Sequence, residues 1–445
     1  MRRKDIRRGT GTILLVASLC TIIIFTTAYV RSLANHGDSE HKQLKGNGTP
    51  DYIWSEGLTN EMSDYEPFNS LDTRIERFIG KWGIKGLSLA VTRNDSLMYA
   101  KGYGWADMED SVRMTPGHIM RLASASKLVT AIAIMHLSEE GKLSLDSKVF
   151  GPSAILNDTA YTNAIEDERM FDITIDHLLR HRAGFGRGAG DPMFNTKDIM
   201  AAKHLTQPPT NEQLTSIVLG RKIAFTPGEG FRYSNFGYML LSLVIERVTG
   251  KNYWEYVTDE ILKPAGCYRF RPATNYYAEK NPNEVRYYGP DSVKVEEFNG
   301  SGRMVERVYG GSNVNGLVGA GGWCASASDL ARLVAAIDKY PQVANILSDA
   351  SIDRMTAFDQ DENMAIGWSE SFSDGKWRRT GTLSSTHTLI ERFPNGECWV
   401  MVTNSGVWTG FHFSRDMSQL VSDLRVTYSK ILPKRDLFNR ARGKD

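Results

Sequence analysis

The sequence lacks the features that define several common classes of protein. Its 445 residues include four cysteines, none in the Cys-x-x-Cys spacing of zinc ribbons or thioredoxin-like sites. The charges of the 53 basic and 52 acidic residues nearly cancel. This balance gives no reason to expect binding to nucleic acid, which usually requires a concentrated basic face. The Gly-x-Ser-x-Gly and Gly-x4-Gly-Lys-Ser/Thr motifs are absent, which argues against an α/β-hydrolase and a P-loop NTPase.

A pair of histidines has the spacing of a helical zinc site. His177 and His181 lie four residues apart, but Leu178 stands where a metalloprotease helix carries its catalytic glutamate. We therefore predict no metal role for the pair. The sequence as a whole predicts no metal and no cofactor.

The N-terminal segment 1–34 carries a membrane-targeting pattern. Basic residues within 2–8 precede an uncharged apolar run over 12–30. About 19 helical residues span the ~30 Å hydrocarbon core, and the basic flank stays in the cytoplasm. The run is an uncleaved anchor or a signal peptide cut after Ala34, and its length favours the anchor. Either interpretation predicts an extracytoplasmic protein, in the periplasm or at the cell surface, with the membrane as a partner.

The rest of the chain divides by composition into three parts. A polar segment over 35–66 contains Gly46, Gly48 and Pro50 and is typical of a tether. A domain over 67–432 follows. The basic tail over 433–445 is predicted to be solvated.

The domain has strand patterns near both of its ends. A hairpin is predicted over 86–100 with its turn at Asn94-Asp95, and two strands are predicted over 388–393 and 398–402. Helices are predicted over 71–82, 126–138 and 415–432, and the region of about 150–350 is mostly helical. We predict an α+β fold, an α/β sandwich whose antiparallel sheet comes from both chain ends around a helical insertion.

Ser124 and Lys127 form a Ser-x-x-Lys motif beside the helix predicted over 126–138. Positions i and i+3 share a helix face, so the lysine amine can reach the hydroxyl and accept its proton. The motif alone is weak, because Ser39 and Ser373 also precede a lysine by three residues. The competing interpretation of Ser124 is a helix cap.

Tyr233 and Asn235 follow a Pro-Gly turn and precede a helical run. A phenol near an ammonium loses its proton more readily, and an asparagine amide can bind both a lysine and a substrate carbonyl. Tyr161 and Asn163 repeat the pattern without the turn. A loop tyrosine packed on the core is the alternative interpretation of Tyr233.

Arg379, Thr380 and Gly381 lead toward the strand predicted at 388–393. A cation, a hydroxyl and a glycine at a strand edge can bind a carboxylate and present backbone N–H groups to an oxyanion. This motif is weak by itself.

Taken together and in this order, the three motifs resemble the serine β-lactamase and penicillin-binding protein superfamily, on its class C, DD-peptidase and family VIII esterase side. The resemblance covers roughly residues 70–428. It extends to residues 120–127, 175–184, 225–229 and 320–332.

The resemblance implies a β-lactamase/transpeptidase-like fold and an acyl-enzyme mechanism. Ser124 would be the nucleophile, Lys127 and Tyr233 would exchange protons with it, and Asn235 would orient Lys127 and the substrate. The backbone N–H groups of Ser124 and Thr382 would form the oxyanion hole.

The third motif departs from the family pattern, because relatives most often carry lysine or histidine at the position of Arg379. Arginine cannot donate its proton in catalysis, but its planar fork suits a carboxylate. We therefore expect a small-molecule or peptide substrate with a free carboxylate, such as a peptide ending like D-Ala-D-Ala or a β-lactam, with Arg379, Thr380, Gly381 and Thr382 in substrate binding.

Three functions remain open from the sequence. The first is a hydrolase acting on a peptide, a β-lactam or an ester. The second is a penicillin-binding sensor that acylates without appreciable turnover, and the third is a scaffold that has lost its chemistry. Intact Ser124, Lys127, Tyr233 and Asn235 favour the first.

Overall fold

The computed structural model describes residues 54–186, 190–358, 365–408 and 410–440. The predicted anchor or signal segment over 1–34, most of the predicted tether and the end of the tail lie outside these ranges. Within them, no helix combines the length and the apolar character needed to cross a bilayer.

The centre of the fold is a seven-stranded sheet in the order β3-β2-β1-β12-β11-β10-β9, with every neighbouring pair antiparallel. A small sheet, β4-β8-β5, and a two-stranded ribbon, β6-β7, accompany it. The strands of the described residues are β1 Gly86–Arg93, β2 Ser96–Asp107, β3 Val112–Arg113, β4 Met120–Arg121, β5 Arg271–Pro272, β6 Lys294–Glu296, β7 Met304–Glu306, β8 Trp323–Ala325, β9 Glu370–Ser371, β10 Trp377–Leu383, β11 Thr386–Arg392 and β12 Glu397–Thr403.

The pairing of β1 with β12 joins the two ends of the domain. Its register runs from Leu87 opposite Thr403 to Arg93 opposite Glu397. Alternate residues of a strand point to opposite faces, so Leu87, Leu89 and Val91 enter one core while Ala90 enters the other. This arrangement confirms the predicted α+β class and the sheet assembled from both chain ends.

Helices cover both faces of the central sheet. Two of them, near the ends of the domain, pack on the face that carries Leu87 and Leu89, and the helical middle of the chain packs on the other. The α-helices are α1 Asn69–Trp82, α2 Ser126–Glu139, α3 Thr159–Ala164, α4 Ile175–Leu179, α5 Thr196–Ala202, α6 Asn211–Leu219, α7 Asn235–Thr249, α8 Tyr253–Val257, α9 Ala327–Ala335, α10 Asp349–Thr356, α11 Gly410–Tyr428 and α12 Leu437–Arg440.

Helix α2 is buried on nearly all sides. It is apolar around its circumference rather than along one stripe, and such helices occupy the middle of a domain. The strand β4 lies just before it and pairs with β8. The start of α2 is thereby fixed between the small sheet and the end of β10.

The folded domain extends beyond the boundaries predicted at 67 and 432. Trp54 and Leu58, in the segment assigned to the tether, are buried, and the Trp54 indole donates to the Gly266 carbonyl at 2.9 Å. Leu437 and Phe438, in the tail predicted to be solvated, are also buried. The rings of Phe438 and Trp54 lie 4.8 Å apart. Apolar residues within polar segments still bury their surface when the fold brings them together.

Candidate active site

Ser124 lies in a tight turn just before α2. The turn Ala123–Ala125 is a 3-10 helix, whereas the i and i+3 prediction treats Ser124 and Lys127 as residues of one α-helical turn. Ala123 has φ of +50°, a left-handed conformation that a non-glycine residue rarely adopts and that costs about 1 to 3 kcal/mol. The Leu122 N–H donates to the Trp323 carbonyl at 2.8 Å, which ties this strained turn to β8.

Lys127 is fully buried and contacts Ser124 from the side of the core. Its Nζ lies 3.2 Å from the Ser124 Oγ and donates to the Asn235 Oδ1 and the Ala320 carbonyl, both at 2.6 Å. Burial lowers the pKa of the Lys127 ammonium, and the positive charge of Arg379 lowers it further, against an opposing effect of Tyr233. An amine held in this way can give up and take back a proton.

Tyr233 is the second group in contact with the Ser124 hydroxyl. Its hydroxyl lies 2.7 Å from the Ser124 Oγ, although 41% of the residue is exposed. Burial of the hydroxyl would raise its pKa, but the positive charges of Lys127 and Arg379 outweigh this effect and leave the pKa below the ordinary value of tyrosine. The phenol is therefore suited to accept the serine proton.

Asn235 is held by Asp191 in the orientation that Lys127 requires. Asp191 accepts hydrogen bonds from the Asn235 backbone N–H and the Asn235 Nδ2, both at 2.9 Å. The amide oxygen is thereby turned toward Lys127. An amide nitrogen has two protons, so one remains for a substrate carbonyl.

His181 supports Tyr233 from behind. Its ring lies 4.4 Å from the ring of Tyr233, and its Nδ1 accepts the Ser234 N–H at 3.1 Å. Burial holds the pKa of His181 well below its ordinary value, with Lys127 and Arg379 adding to the effect. The imidazole is therefore neutral and acts on the position of Tyr233.

The end of β10 forms the opposite wall of the site. A methyl group on Gly381 would lie 2.3 Å from the Leu122 carbonyl oxygen and 3.0 Å from the Ser124 nitrogen, so only glycine lets the strand approach this closely. The Thr380 N–H points away from β11 and donates to the Ser369 Oγ at 3.2 Å. Because strand residues repeat every two positions, the Thr382 N–H points the same way, toward Ser124.

Arg379 is buried at the start of this wall, with 2% of its surface exposed. Its Nε donates to the backbone carbonyl of Ser124 at 2.9 Å, and its Nη2 donates to the same oxygen. The guanidinium therefore contacts the main chain of the predicted nucleophile.

These residues surround a cleft of about 290 Å³. Every predicted site residue except Lys127 lines it, and Lys127 contacts Ser124 from the buried side. The lining residues are Ala123, Ser124, Phe194, Tyr233, Asn235, Leu317, Ala320, Gly321, Ser369, Arg379, Thr380, Gly381, Thr382 and Leu383.

The residues that shared a motif with the site lie elsewhere. Ser373 is in an exposed turn, and Tyr161 is buried in α3 against Phe150. His177 accepts the Thr174 N–H in the capping box of α4. Across the described residues, His, Cys, Asp and Glu side chains do not gather in threes that could hold a metal ion.

Sequence reasoning missed three contributors to the site. Asp191 precedes a proline, which is typical of a helix cap, but nothing local connects it to Asn235. His181 was considered as a metal ligand, and its packing against the ring of Tyr233 has no sequence signal. Ser369 bonds to Thr380 through a contact that only the folded chain forms.

Comparisons with known proteins show the family of the chain. Residues 71–421 match the protein family described as Beta-lactamase. The chain is 31% identical to Protein flp of Staphylococcus aureus (strain MW2) over 46% of its own length and 38% of that protein. It is 28% identical to Penicillin-binding protein 4* of Bacillus subtilis (strain 168) over 49% of its length and 44% of that protein.

A solved structure extends the likeness to nearly the whole domain. The D-amino acid amidase from Ochrobactrum anthropi SV3, complexed with L-phenylalanine, superposes with a TM-score of 0.63 at 20% identity, over 81% of this chain and 99% of that one. The chain thus has the β-lactamase/transpeptidase-like fold, and it belongs to the Beta-lactamase family. Membership supports a serine hydrolase or an acylating activity. The match covers less than half of each curated relative's length.

Proposed function

We propose that the protein is a serine hydrolase in which Ser124 forms an acyl-enzyme with a carbonyl substrate. The observation that carries this proposal is the position of the Ser124 Oγ, which lies 2.7 Å from the Tyr233 hydroxyl and 3.2 Å from the Lys127 amine. A serine hydroxyl is a weak nucleophile until an adjacent base removes its proton. Two such groups, both with a lowered pKa, contact it here.

Proton transfer follows from these contacts. Tyr233 and Lys127 together accept the proton of Ser124 as its oxygen bonds to the substrate carbonyl carbon. The same pair returns the proton to the leaving group as the bond to that group breaks, so no other acid is required. Asn235 keeps the Lys127 amine pointed at the serine.

The oxyanion of the tetrahedral intermediate is proposed to lie between Ser124 and β10. The N–H of Ser124 and the N–H of Thr382 are the proposed donors. The support is the close approach of the two backbones at Gly381. Losing one such donor typically costs roughly 3 kcal/mol of transition-state stabilisation.

The proposed substrates are a peptide that resembles D-Ala-D-Ala, a β-lactam or an ester. A cleft of about 290 Å³ suits a small molecule or the end of a peptide. Hydroxyls of Ser369, Thr380 and Thr382 offer hydrogen bonds along one side. Phe194 and Leu317 offer apolar contact.

We also propose an extracytoplasmic location, with the membrane held through the N-terminal segment. The support is the basic cluster within 2–8 and the uncharged run over 12–30. Protease treatment of source cells stripped of any outer membrane and cell wall, followed by alkaline carbonate extraction of their membranes, tests this. Digestion of the domain in these cells, with the untreated chain retained in the membrane pellet, is expected, and protection from protease would contradict the location.

Intact-protein mass spectrometry of the full chain in detergent tests the nucleophile. We expect a neutral fluorophosphonate to add one adduct to the wild type and none to Ser124→Ala. Ser373→Ala removes the other Ser-x-x-Lys serine of the domain and should label like the wild type. A labelled Ser124→Ala protein, or an unlabelled wild type, would contradict the proposal.

Penicillin added in the same experiment separates a protein that releases the penicillin acyl group from one that retains it. The described residues that line the cleft include no Asp or Glu, so water attack on the acyl group would depend on the same Tyr233 and Lys127. A penicillin adduct that decays as penicillin is consumed supports the hydrolase. An adduct that persists places the protein with penicillin-binding peptidases or sensors, and the absence of an adduct directs the search to ester and D-amino-acid peptide substrates.

A further inference from the structure

The contact between Arg379 and Ser124 suggests how the unusual third motif is used. The Nε and Nη2 of Arg379 both donate to one atom, the backbone carbonyl oxygen of Ser124. Hydrogen bonds from a charged donor are shorter and about twice as strong as neutral ones, and the planar fork holds its acceptor in a fixed direction. The guanidinium thus fixes the peptide group that follows the nucleophile.

The two residues that precede Ser124 are restrained as well. Ala123 has φ of +50°, and the Leu122 N–H is bonded to the Trp323 carbonyl. A strained backbone persists only where its surroundings hold it. Arg379 on one side and β8 on the other therefore restrain the turn that aims the Ser124 Oγ.

Apart from Arg379, the described residues that line the cleft offer no positive charge to a substrate carboxylate. Arg379 is the one basic side chain among the described residues that line it. That side chain is 2% exposed and directs two of its nitrogens at the Ser124 carbonyl. The other walls present neutral hydroxyls and apolar groups, among them Thr380, Thr382 and Leu383.

We propose that Arg379 is a positioning residue for Ser124, and that the cleft takes substrates which are uncharged next to the bond that is cleaved. Neutral amides and esters then fit better than substrates anchored by a carboxylate. This inference rests on the proposed function, since it assumes that Ser124 is the nucleophile. It replaces the carboxylate role that the sequence predicted for Arg379.

The charge of Arg379 has a second effect at the site. It lowers the pKa of Lys127 and of Tyr233, and it lowers the pKa of His181 as well. Asp191, through its negative charge, acts on Lys127 in the opposite direction. The positioning effect and the charge effect of Arg379 can be separated by choosing two substitutions.

Arg379→Lys keeps the positive charge and loses the planar fork, whereas Arg379→Gln loses both. The probes are two fluorophosphonates, identical except that the alkoxy group ends in a carboxylate in one and in its methyl ester in the other. Rates of Ser124 labelling at several probe concentrations give the maximal rate constant and the half-saturating concentration for each probe. The full chain is used throughout.

We expect Arg379→Lys to lower the maximal labelling rate about tenfold, by the same factor for both probes, because positioning is lost. Arg379→Gln should lower it about a hundredfold and shift the acid limb of the pH profile to higher pH. The shift follows because removal of a cation raises the pKa of Lys127 and Tyr233. The lysine variant should leave that limb in place.

A selective change in binding would overturn the inference. If either variant raised the half-saturating concentration of the carboxylate probe tenfold and left the methyl ester probe unaffected, Arg379 would be a carboxylate anchor. The inference would also be overturned if both variants labelled Ser124 at the wild-type rate with both probes. Failure of the proposed function is distinguishable, because the wild-type protein would then take no label on Ser124 from either probe.

Discussion

Two completely buried charged side chains, Lys127 and Glu397, are accommodated in opposite ways. Lys127 donates to three neutral oxygen atoms, those of the Ser124 hydroxyl, the Asn235 amide and the Ala320 carbonyl. Glu397 accepts from two arginines, Arg93 and Arg425. Burial dominates at Lys127 and disfavours its charged form.

The environment of Glu397 has the reverse effect. Burial would raise its pKa, but hydrogen bonds from Ser429, Arg93 and Arg425 outweigh burial and lower the pKa below its ordinary value. The Trp399 indole adds a further donor at 3.2 Å. The charge of Glu397 is therefore neutralised by its partners, whereas Lys127, the proposed proton acceptor, is surrounded by neutral groups that let it lose its proton.

Removing the amine of Lys127 should have the largest effect on activity and little cost in stability. For Lys127→Met we expect Ser124 labelling by a fluorophosphonate to fall about 10,000-fold, since a proton acceptor of the nucleophile is lost. The free energy of unfolding should stay the same or rise by about 1 kcal/mol, because a buried charge is replaced by an apolar chain of similar length. Labelling kinetics and urea denaturation measure the two effects. A variant that labels normally would refute the role of Lys127.

Substitution of Glu397 should give the opposite result. Glu397→Gln leaves Arg93 and Arg425 without their carboxylate, and breaking such a buried pair costs about 3 to 5 kcal/mol of unfolding free energy. Labelling per folded molecule should be unchanged. The exposed Glu76→Gln serves as the control, with wild-type stability expected. Loss of labelling in folded Glu397→Gln would show that the two regions are coupled.

Removal of the Tyr233 hydroxyl should have an intermediate effect on the chemistry. Tyr233→Phe retains the ring that packs on His181, and we expect labelling to slow about 100-fold. Tyr238→Phe is the matched control, because the Tyr238 hydroxyl donates to the Leu179 carbonyl at 2.8 Å and not to Ser124. The control should lose about 1 kcal/mol of stability and label nearly as fast as the wild type. Equal slowing of both variants would argue against a specific role of Tyr233.

A smaller, pH-dependent effect is expected at a third buried charge. Asp338 and Asp95 share a hydrogen bond, and burial together with the charge of Asp95 raises the pKa of Asp338 to about 7. The folded protein therefore holds a proton that the unfolded chain releases above its ordinary pKa of 3.8. Stability contributed by this proton is lost as the pH rises toward 7.

Asp338→Asn removes this dependence. Between pH 5 and pH 8 the wild type should lose roughly 2 kcal/mol more unfolding free energy than the variant. Asp353→Asn, at an exposed position, should follow the wild type. Urea denaturation at the two pH values measures the difference. Parallel losses in wild type and Asp338→Asn would mean that Asp338 is ionised throughout.

Much of the fold follows from local patterns. The hairpin turn at Asn94-Asp95 and the alternation of residues in the strands near both chain ends predicted the central sheet, because these signals depend on neighbouring residues. The Ser-x-x-Lys spacing predicted the contact of Ser124 with Lys127, since positions i and i+3 share a helix face. The turn before α7 likewise predicted where Tyr233 and Asn235 would lie.

The remaining features depend on contacts between distant parts of the chain. No local pattern indicates that Arg379, predicted to bind a substrate carboxylate, contacts the Ser124 carbonyl 255 positions away. Leu437 and Phe438 lie in a basic tail, where two apolar residues give no periodic signal, and they are buried beside Trp54. In the sequence Asp191 is typical of a helix cap, and its hydrogen bonds with Asn235 form only in the folded chain.

The most direct test of the central claim is the location of the fluorophosphonate adduct. Tandem mass spectrometry of peptides from the labelled, full-length protein would assign the modified residue. We predict modification of Ser124 alone, and none when Lys127→Met is labelled for the same time. An adduct on another serine, or on a tyrosine, with Ser124 unmodified would contradict it.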